Sequence, residues 1–88
     1  MMETMLVLST AHLTEGTCST WLHHASLVAY PKGDVGWFVH VPDSTHGDVP
    51  ADLAECLEQA RALNCDWIMF DRDAAALTIL PVHAWGED

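Results

Sequence analysis

The sequence predicts an α+β fold, a two-layer sandwich formed by a single domain over residues 1–88. Four short apolar or alternating segments are typical of strands, and two segments with apolar residues three and four positions apart are typical of helices. Their chain order is strand, helix, strand, strand, helix, strand, followed by an extended tail. This is the order of a ferredoxin-like fold, with both helices on one face of an antiparallel sheet, although other α+β arrangements remain open.

The first strand and helix are predicted from the N-terminal third of the chain. Residues 5–8 are uniformly apolar and indicate a strand. Thr14 suits a helix N-cap, and the helix is expected to run to about residue 24. Its buried stripe would consist of Cys18, Trp21 and Leu22.

The next two strands are predicted to form a hairpin. Residues 27–30 and 35–41 are rich in apolar and aromatic side chains, and the segment 31–34 between them contains proline and glycine, which favour a turn. In the second of these strands Trp37, Val39 and Val41 are expected on one face, with Phe38 and His40 on the other.

The second helix has the clearest pattern in the chain. Pro50 suits its first turn, where a missing N–H costs nothing. Asn64 suits a left-handed residue after its C-terminal end. The predicted apolar face consists of Leu53, Cys56, Leu57, Ala60 and Leu63.

The last strand is predicted at residues 67–70, which are all apolar. That composition favours a central strand covered on both faces. Residues 77–85 follow as an extended segment, and Pro81 predicts that they form an edge strand or an ordered tail.

The charge of the chain limits its partners. Thirteen acidic residues against three Lys and Arg give a formal net charge of −10. Such a surface repels nucleic-acid backbones and anionic membranes, so we expect no direct binding to either. It favours a basic protein partner.

The cysteines and the N-terminus predict a cytoplasmic location. Three cysteines, an odd number without close spacing, indicate reduced thiols and no disulfide framework. The apolar segment 5–8 is too short for a signal peptide, and no stretch approaches the roughly 18 apolar residues that span a bilayer.

Asp71 and Asp73 are the strongest candidates for chemistry. They follow a hydrophobic strand, where carboxylates in many α/β enzymes hold Mg²⁺. The alternative interpretation is a solvated strand-to-turn exit. A small metal-dependent enzyme that uses this pair is therefore an alternative hypothesis.

The histidines and cysteines do not predict a cofactor site or an enzyme. The six histidines are spaced unlike metal ligands, and no pair has the spacing of a zinc motif. They are interpreted as exposed or capping residues, and a site built from distant elements, such as His40 with Asp43 and His46, stays open. No nucleophile lies in a recognised catalytic motif. We expect no cofactor and no enzymatic activity.

Two features indicate surfaces for a partner. Asp52, Glu55 and Glu58 recur every three residues on the second helix and form an acidic ridge that is either solubilising or a mimic of phosphate spacing. Trp85, near the C-terminus, either clamps the tail onto the sheet or anchors an interface. The remaining tryptophans are expected in the core.

Four stretches also resemble a family of small proteins, a domain of unknown function, encoded on proteobacterial plasmids, prophages and integrative elements. They are residues 9–14 (STAHLT), 36–39 (GWFV), 65–71 (CDWIMFD) and 80–82 (LPV) followed by Trp85. The resemblance covers nearly the whole chain and implies an accessory protein of a mobile element.

The leading hypothesis is a small acidic binding protein that acts by protein–protein contact. Its sharper form is an inhibitor of a host defence system, anti-CRISPR or anti-restriction, whose acidic ridge blocks a basic channel. The alternatives are the metal-dependent enzyme and a homodimeric structural module, formed through an edge strand or Trp85.

Overall fold

A computed structural model describes residues 2–45 and 47–83. Its strands and helices, in chain order, are β1 (Met5–Ser9), α1 (Glu15–Ser19), β2 (Ala29–Lys32), β3 (Gly36–His40), α2 (Ala51–Ala62) and β4 (Trp67–Asp71). Two 3₁₀ turns, Thr10–His12 and Trp21–His24, flank α1. The described part of the chain is thus a small α+β fold.

The four strands form one mixed sheet in the order β1-β4-β3-β2. β4 is paired in parallel with β1 and antiparallel with β3, and β2 is antiparallel to β3. The expectation of a wholly antiparallel sheet is therefore wrong, and a ferredoxin-like fold is not confirmed. A short turn forces β2 and β3 to run antiparallel. No local sequence signal determines the relative direction of β1 and β4, because most of the chain separates these two strands.

The first helix is shorter than expected. α1 ends at Ser19, and Trp21–His24 continues as a 3₁₀ turn instead of as the same helix. Thr14 is the N-cap, as predicted, and its hydroxyl accepts a hydrogen bond from the Thr17 amide at 3.3 Å. Glycine and several Ser and Thr residues give this segment a low helix propensity, so packing decides where it ends.

The hairpin of β2 and β3 is confirmed, with a shift of its turn. β2 continues through Lys32, and Pro31 is accommodated because β2 is an edge strand. The turn lies at residues 33–35, where Gly33 has a φ of +54°. The Val35 amide closes the turn by donating to the Lys32 carbonyl at 3.1 Å.

The second helix begins at Ala51, and Pro50, which the sequence placed in the first turn, is its N-cap. Its apolar face is buried with one exception: Leu63, which was expected in the core, follows the helix and is 50% exposed. Asn64 has a φ of 58°, which confirms the left-handed residue after the helix.

The core lies on one side of the sheet only. Trp37, Val39 and Val41 face it as predicted, together with Ile68 and Phe70 of β4. β4 is central, but the expectation that it is covered on both faces is wrong, since its alternate residues are only partly buried. One long helix and one short helix are enough to cover a single face of a sheet of this size.

The C-terminal segment 77–83 is an ordered tail. It contains a turn in which the Leu80 amide donates to the Leu77 carbonyl, and its last described amide, that of His83, donates to the Ala11 carbonyl at 2.8 Å. Because residues 77–83 contain no strand, the edge-strand alternative is wrong for that range.

Candidate binding surface

The face of the sheet opposite the helices presents apolar and aromatic side chains to the surroundings. We call it the open face and define it by six residues. They come from all four strands and are Met5 and Val7 of β1, Tyr30 of β2, Phe38 of β3, and Trp67 and Met69 of β4.

Strand register places these six residues next to one another. Val7, Met69, Phe38 and Tyr30 form one row across the sheet, since each is the partner of the next. Met5 and Trp67 are likewise partners, and they lie in the adjoining row of the sheet. Met5, Val7 and Tyr30 are 42%, 46% and 56% exposed, respectively. The open face is therefore a continuous patch.

The aromatic rings of this surface are arranged around Trp67. The Tyr30 ring is stacked with the Trp67 ring at a centroid distance of 6.2 Å, and the His40 ring meets it edge-on at 5.1 Å. A shallow depression of about 420 Å³ lies between Glu3, Met5, Tyr30, Phe38 and Trp67. Edge and offset-stacked contacts of this kind hold aromatic side chains in fixed orientations.

Carboxylates border one end of the open face. Trp67 donates its indole N–H to Glu3 Oε1 at 3.1 Å, and Asp66 Oδ2 accepts the Thr4 amide at 2.9 Å. At the other end Lys32 and Asp71 form an ion pair at 2.9 Å. The first end therefore carries negative charge, whereas the charges of Lys32 and Asp71 at the second end cancel.

The Asp71 carboxylate is engaged by two donors within the chain. Asp71 Oδ2 accepts from Lys32 Nζ, and Oδ1 accepts the Asp73 amide at 2.8 Å. The Asp73 amide first, and Lys32 second, lower the pKa of Asp71 below its ordinary value. This geometry is that of a strand-to-turn exit. Use of the two aspartates by a metal-dependent enzyme stays a hypothesis.

His12 differs from the expectation of an exposed or capping histidine. It is 1% exposed. Its Nε2 accepts the Leu77 amide at 2.9 Å, so the proton lies on Nδ1, which donates to the Pro81 carbonyl at 2.8 Å. Within residues 2–45 and 47–83, no three His, Cys, Asp or Glu residues are grouped as a metal site requires. His46 lies outside those ranges.

The cysteines are free thiols among the described residues. Burial raises the pKa of Cys56 to about 12, and Asp52 and Glu55 add to the rise. Burial also raises the pKa of Cys18. Both thiols therefore stay protonated near neutral pH, which disfavours a role as nucleophile.

The predicted acidic ridge is not made of three equivalent carboxylates. Asp52 Oδ2 accepts the Thr14 amide at 2.7 Å, and Oδ1 accepts the Thr17 hydroxyl at 3.1 Å. Glu55 and Glu58 are exposed. Asp52 thus joins α2 to the start of α1, and only the two glutamates present free carboxylates. Trp85, the other predicted contact residue, lies outside the described residues.

The open face was not predicted from the sequence. The tryptophans other than Trp85 were expected in the core, whereas Trp67 belongs to this surface. A signal was present: Phe38 was assigned to the face of its strand opposite Trp37 and Val39. With both helices on one side of the sheet, that face has nothing in the described chain to cover it.

Comparison with known proteins identifies a family. Residues 5–85 match the family described as "Family of unknown function (DUF5983) C-terminal domain". The chain belongs to this family. The description of DUF5983 states no activity, partner or host, so the mobile-element origin stays a prediction. No curated protein and no solved structure matches the chain.

A helix that spans a bilayer needs about 20 predominantly apolar residues. Within residues 2–45 and 47–83, no helix combines the length and the apolar composition that crossing a bilayer requires.

Proposed function

We propose that this DUF5983 domain is a non-enzymatic, cytoplasmic protein-binding module whose contact surface is the open face. One observation carries the proposal: six neighbouring apolar and aromatic side chains lie on a face of the sheet that the described chain does not cover. Contiguous apolar patches with polar borders are typical of interaction sites on small proteins.

The residue types of the open face suit a contact surface. Trp and Tyr are the side chains that most often dominate binding free energies. Trp67 is held by its hydrogen bond to Glu3 and by its ring contacts with Tyr30 and His40. A side chain that is already oriented loses little conformational entropy when a partner binds, which favours affinity.

The charge of the domain favours a partner with an apolar patch bordered by Lys or Arg. Glu3 and Asp66 lie at one end of the open face, and the whole chain has a net charge of −10. Opposite charges at the border of an interface accelerate association and select partners. The same charge opposes a second copy of the domain and opposes nucleic acid.

The finer form of the proposal concerns the biological setting. An accessory protein of a mobile element that binds a basic surface would suit an inhibitor of a host defence complex, either anti-CRISPR or anti-restriction. Glu55 and Glu58 would then contribute a second, electrostatic contact. Asp52 belongs to the original ridge hypothesis, but its hydrogen bonds to Thr14 and Thr17 favour a role within the fold.

Site-specific photo-crosslinking tests the contact surface. A photoreactive phenylalanine analogue replaces Tyr30 on the open face or, in a matched control, Glu55 on α2. We expect a protein adduct from position 30 in bacterial cells, and the crosslinked peptide of the partner should contain apolar residues near Lys or Arg. A partner crosslinked only from position 55 would support the ridge in place of the open face.

The mass of the crosslinked adduct distinguishes self-association of the domain from binding to another protein. A crosslink between two copies, together with a mass by light scattering that falls on dilution, would replace the proposal with the homodimer hypothesis. No adduct from either position would contradict the proposed binding role.

A further inference from the structure

A second cavity lies on the helical side of the sheet, away from the open face. Its volume is about 490 Å³, within the range of small-molecule sites. It is bounded by Cys18, Ser19 and His23 on one side and by the β2–β3 hairpin and Arg72 on the other. We call it the hairpin cleft.

Arg72 is the distinctive residue of the hairpin cleft. The other two basic side chains are engaged: Lys32 pairs with Asp71, and Arg61 donates to the Pro42 carbonyl and the Thr45 hydroxyl. Within the described part of the chain, the Arg72 guanidinium has neither a hydrogen bond nor an ion pair closer than 4.0 Å. Arg72 acts on Asp71 only through longer-range charge attraction. An arginine that lines a cavity, and whose guanidinium makes no hydrogen bond or ion pair there, is suited to bind a carboxylate or phosphate through two parallel hydrogen bonds.

The remaining lining of the hairpin cleft includes aromatic and aliphatic residues. Trp37 is fixed there because its indole N–H donates to the Cys18 carbonyl at 3.0 Å. The His23 ring meets the Trp37 ring edge-on at 5.0 Å. Pro31 and Val35 add aliphatic contacts. Since Trp37 itself is only 6% exposed, a planar ring would lie against the exposed His23 and Pro31 rings while its acidic group reaches Arg72.

Asp34 limits the charge of the ligand. This residue also lines the hairpin cleft, and its carboxylate has no ion pair within the described residues. A second negative charge on the ligand would be repelled by Asp34 and by the overall charge of −10. A monoanion is thus favoured over a dianion.

We propose that the hairpin cleft is a binding site for a small aromatic carboxylate, which Arg72 binds through its carboxylate group. The site is separate from the open face, and neither proposal depends on the other. Affinity is expected to be modest, because the Arg72 side chain is exposed to solvent.

Amide NMR with benzoate as the probe tests this proposal. Titration of the ¹⁵N-labelled domain should give saturable shifts at the amides of Gly33, Val35 and Gly36 and at the Trp37 indole. Benzamide, a neutral molecule of the same shape, should cause at most small shifts, and phenyl phosphate should bind more weakly than benzoate. No saturable shift with benzoate, or equal binding of benzamide, would overturn the proposal.

Two variants assign the interaction to Arg72. Arg72→Gln should weaken benzoate binding at least about tenfold, while Lys32→Gln, which removes a cation paired on the other face, should bind within about twofold of wild type. An unchanged Trp37 indole resonance in the free Arg72→Gln variant confirms that the cleft is intact. Benzoate binding that survives Arg72→Gln would contradict the assignment.

Discussion

At the scale of single residues, Gly36 of β3 leaves no room for a side chain beside the backbone of β4. A Cβ added there would lie 1.6 Å from the Phe70 carbonyl oxygen. Gly36→Ala must therefore push β3 away from β4, and we expect it to lower the free energy of unfolding by about 3 kcal/mol or more. Urea denaturation followed by circular dichroism measures the change.

Gly16 provides the matched control. Apart from its chain neighbours and the backbone of its own helix, no atom of the described residues lies within 4 Å of a Cβ added at this helical position. Gly16→Ala should leave stability unchanged or raise it by about 0.5–1 kcal/mol, because alanine has the higher helix propensity. Equal stabilities of the two variants would show that β3 and β4 do not approach as described.

Asp71 gives the fold a specific sensitivity to acid. The pKa of this carboxyl is lower in the folded protein than its ordinary value of about 3.9. Its stabilising contribution is therefore complete above about pH 4 and is lost as the pH falls through the lower folded value. Asp71→Asn should narrow the difference in urea midpoint between pH 6 and pH 2.

Asp73→Asn is the control that distinguishes the loss of the Asp71 carboxylate from the loss of any one negative charge. Asp73 contributes its backbone amide to Asp71, and this amide is retained in Asp73→Asn. That variant should keep the acid sensitivity of wild type. A pH profile of Asp71→Asn identical to wild type would contradict the stabilising role of the contacts that the Asp71 carboxylate makes with the Asp73 amide and Lys32.

Residues whose role depends only on nearby positions in the chain could be predicted from sequence. Thr14 as an N-cap, a glycine turn at Gly33 and a left-handed Asn64 each follow from local geometry. His12 and Asp52 could not be assigned in this way. Their hydrogen-bond partners lie far along the chain, and no local pattern identifies them.

At the scale of elements, His12 joins the first 3₁₀ turn to the C-terminal segment. His12→Phe would retain most of the buried volume but leave the Leu77 amide and the Pro81 carbonyl without their partner. We expect a loss of about 2 kcal/mol in unfolding free energy. Amide exchange at residues 77–83 should accelerate more than in β3.

His24 is the control for this substitution. It is exposed at the end of the second 3₁₀ turn. His24→Phe should leave the exchange of residues 77–83 unchanged. Unaltered exchange in His12→Phe would mean that other contacts hold the segment in place.

Asp52 joins α2 to the start of α1. Asp52→Ala removes the acceptor of the Thr14 amide and the Thr17 hydroxyl and should destabilise the fold by about 1–2 kcal/mol. Glu55→Ala, which alters an exposed side chain on the same helix, should stay within about 0.5 kcal/mol of wild type. Thermal unfolding of the two variants decides whether Asp52 is structural.

The elements themselves were predictable to different degrees. α2 has enough apolar positions at helical spacing to be identified alone, whereas α1 is a short segment of weak helix formers whose end depends on packing. The apolar run of β4 suggested cover on both faces. Composition could not distinguish a face that the chain covers from one that the described chain leaves uncovered.

At the scale of the whole molecule, charge and apolar surface combine into one account. In the proposed account the net charge of −10 disfavours association between copies of the domain, and the open face is the apolar area that a partner with a basic border would contact. Burial of apolar area contributes about 25 cal/mol per Å² before the costs of association are subtracted. Affinity should therefore depend on the open face, and association rate should depend on salt.

The most direct test of the central claim is the dissociation constant for the crosslinked partner, measured for two folded double variants. Val7→Ser with Tyr30→Ser alters exposed positions of the open face, and Glu55→Lys with Glu58→Lys reverses the free charges of α2. The account predicts at least about a hundredfold weaker binding for the first and less than about tenfold for the second. Wild-type affinity in the first variant, with binding lost in the second, would contradict it.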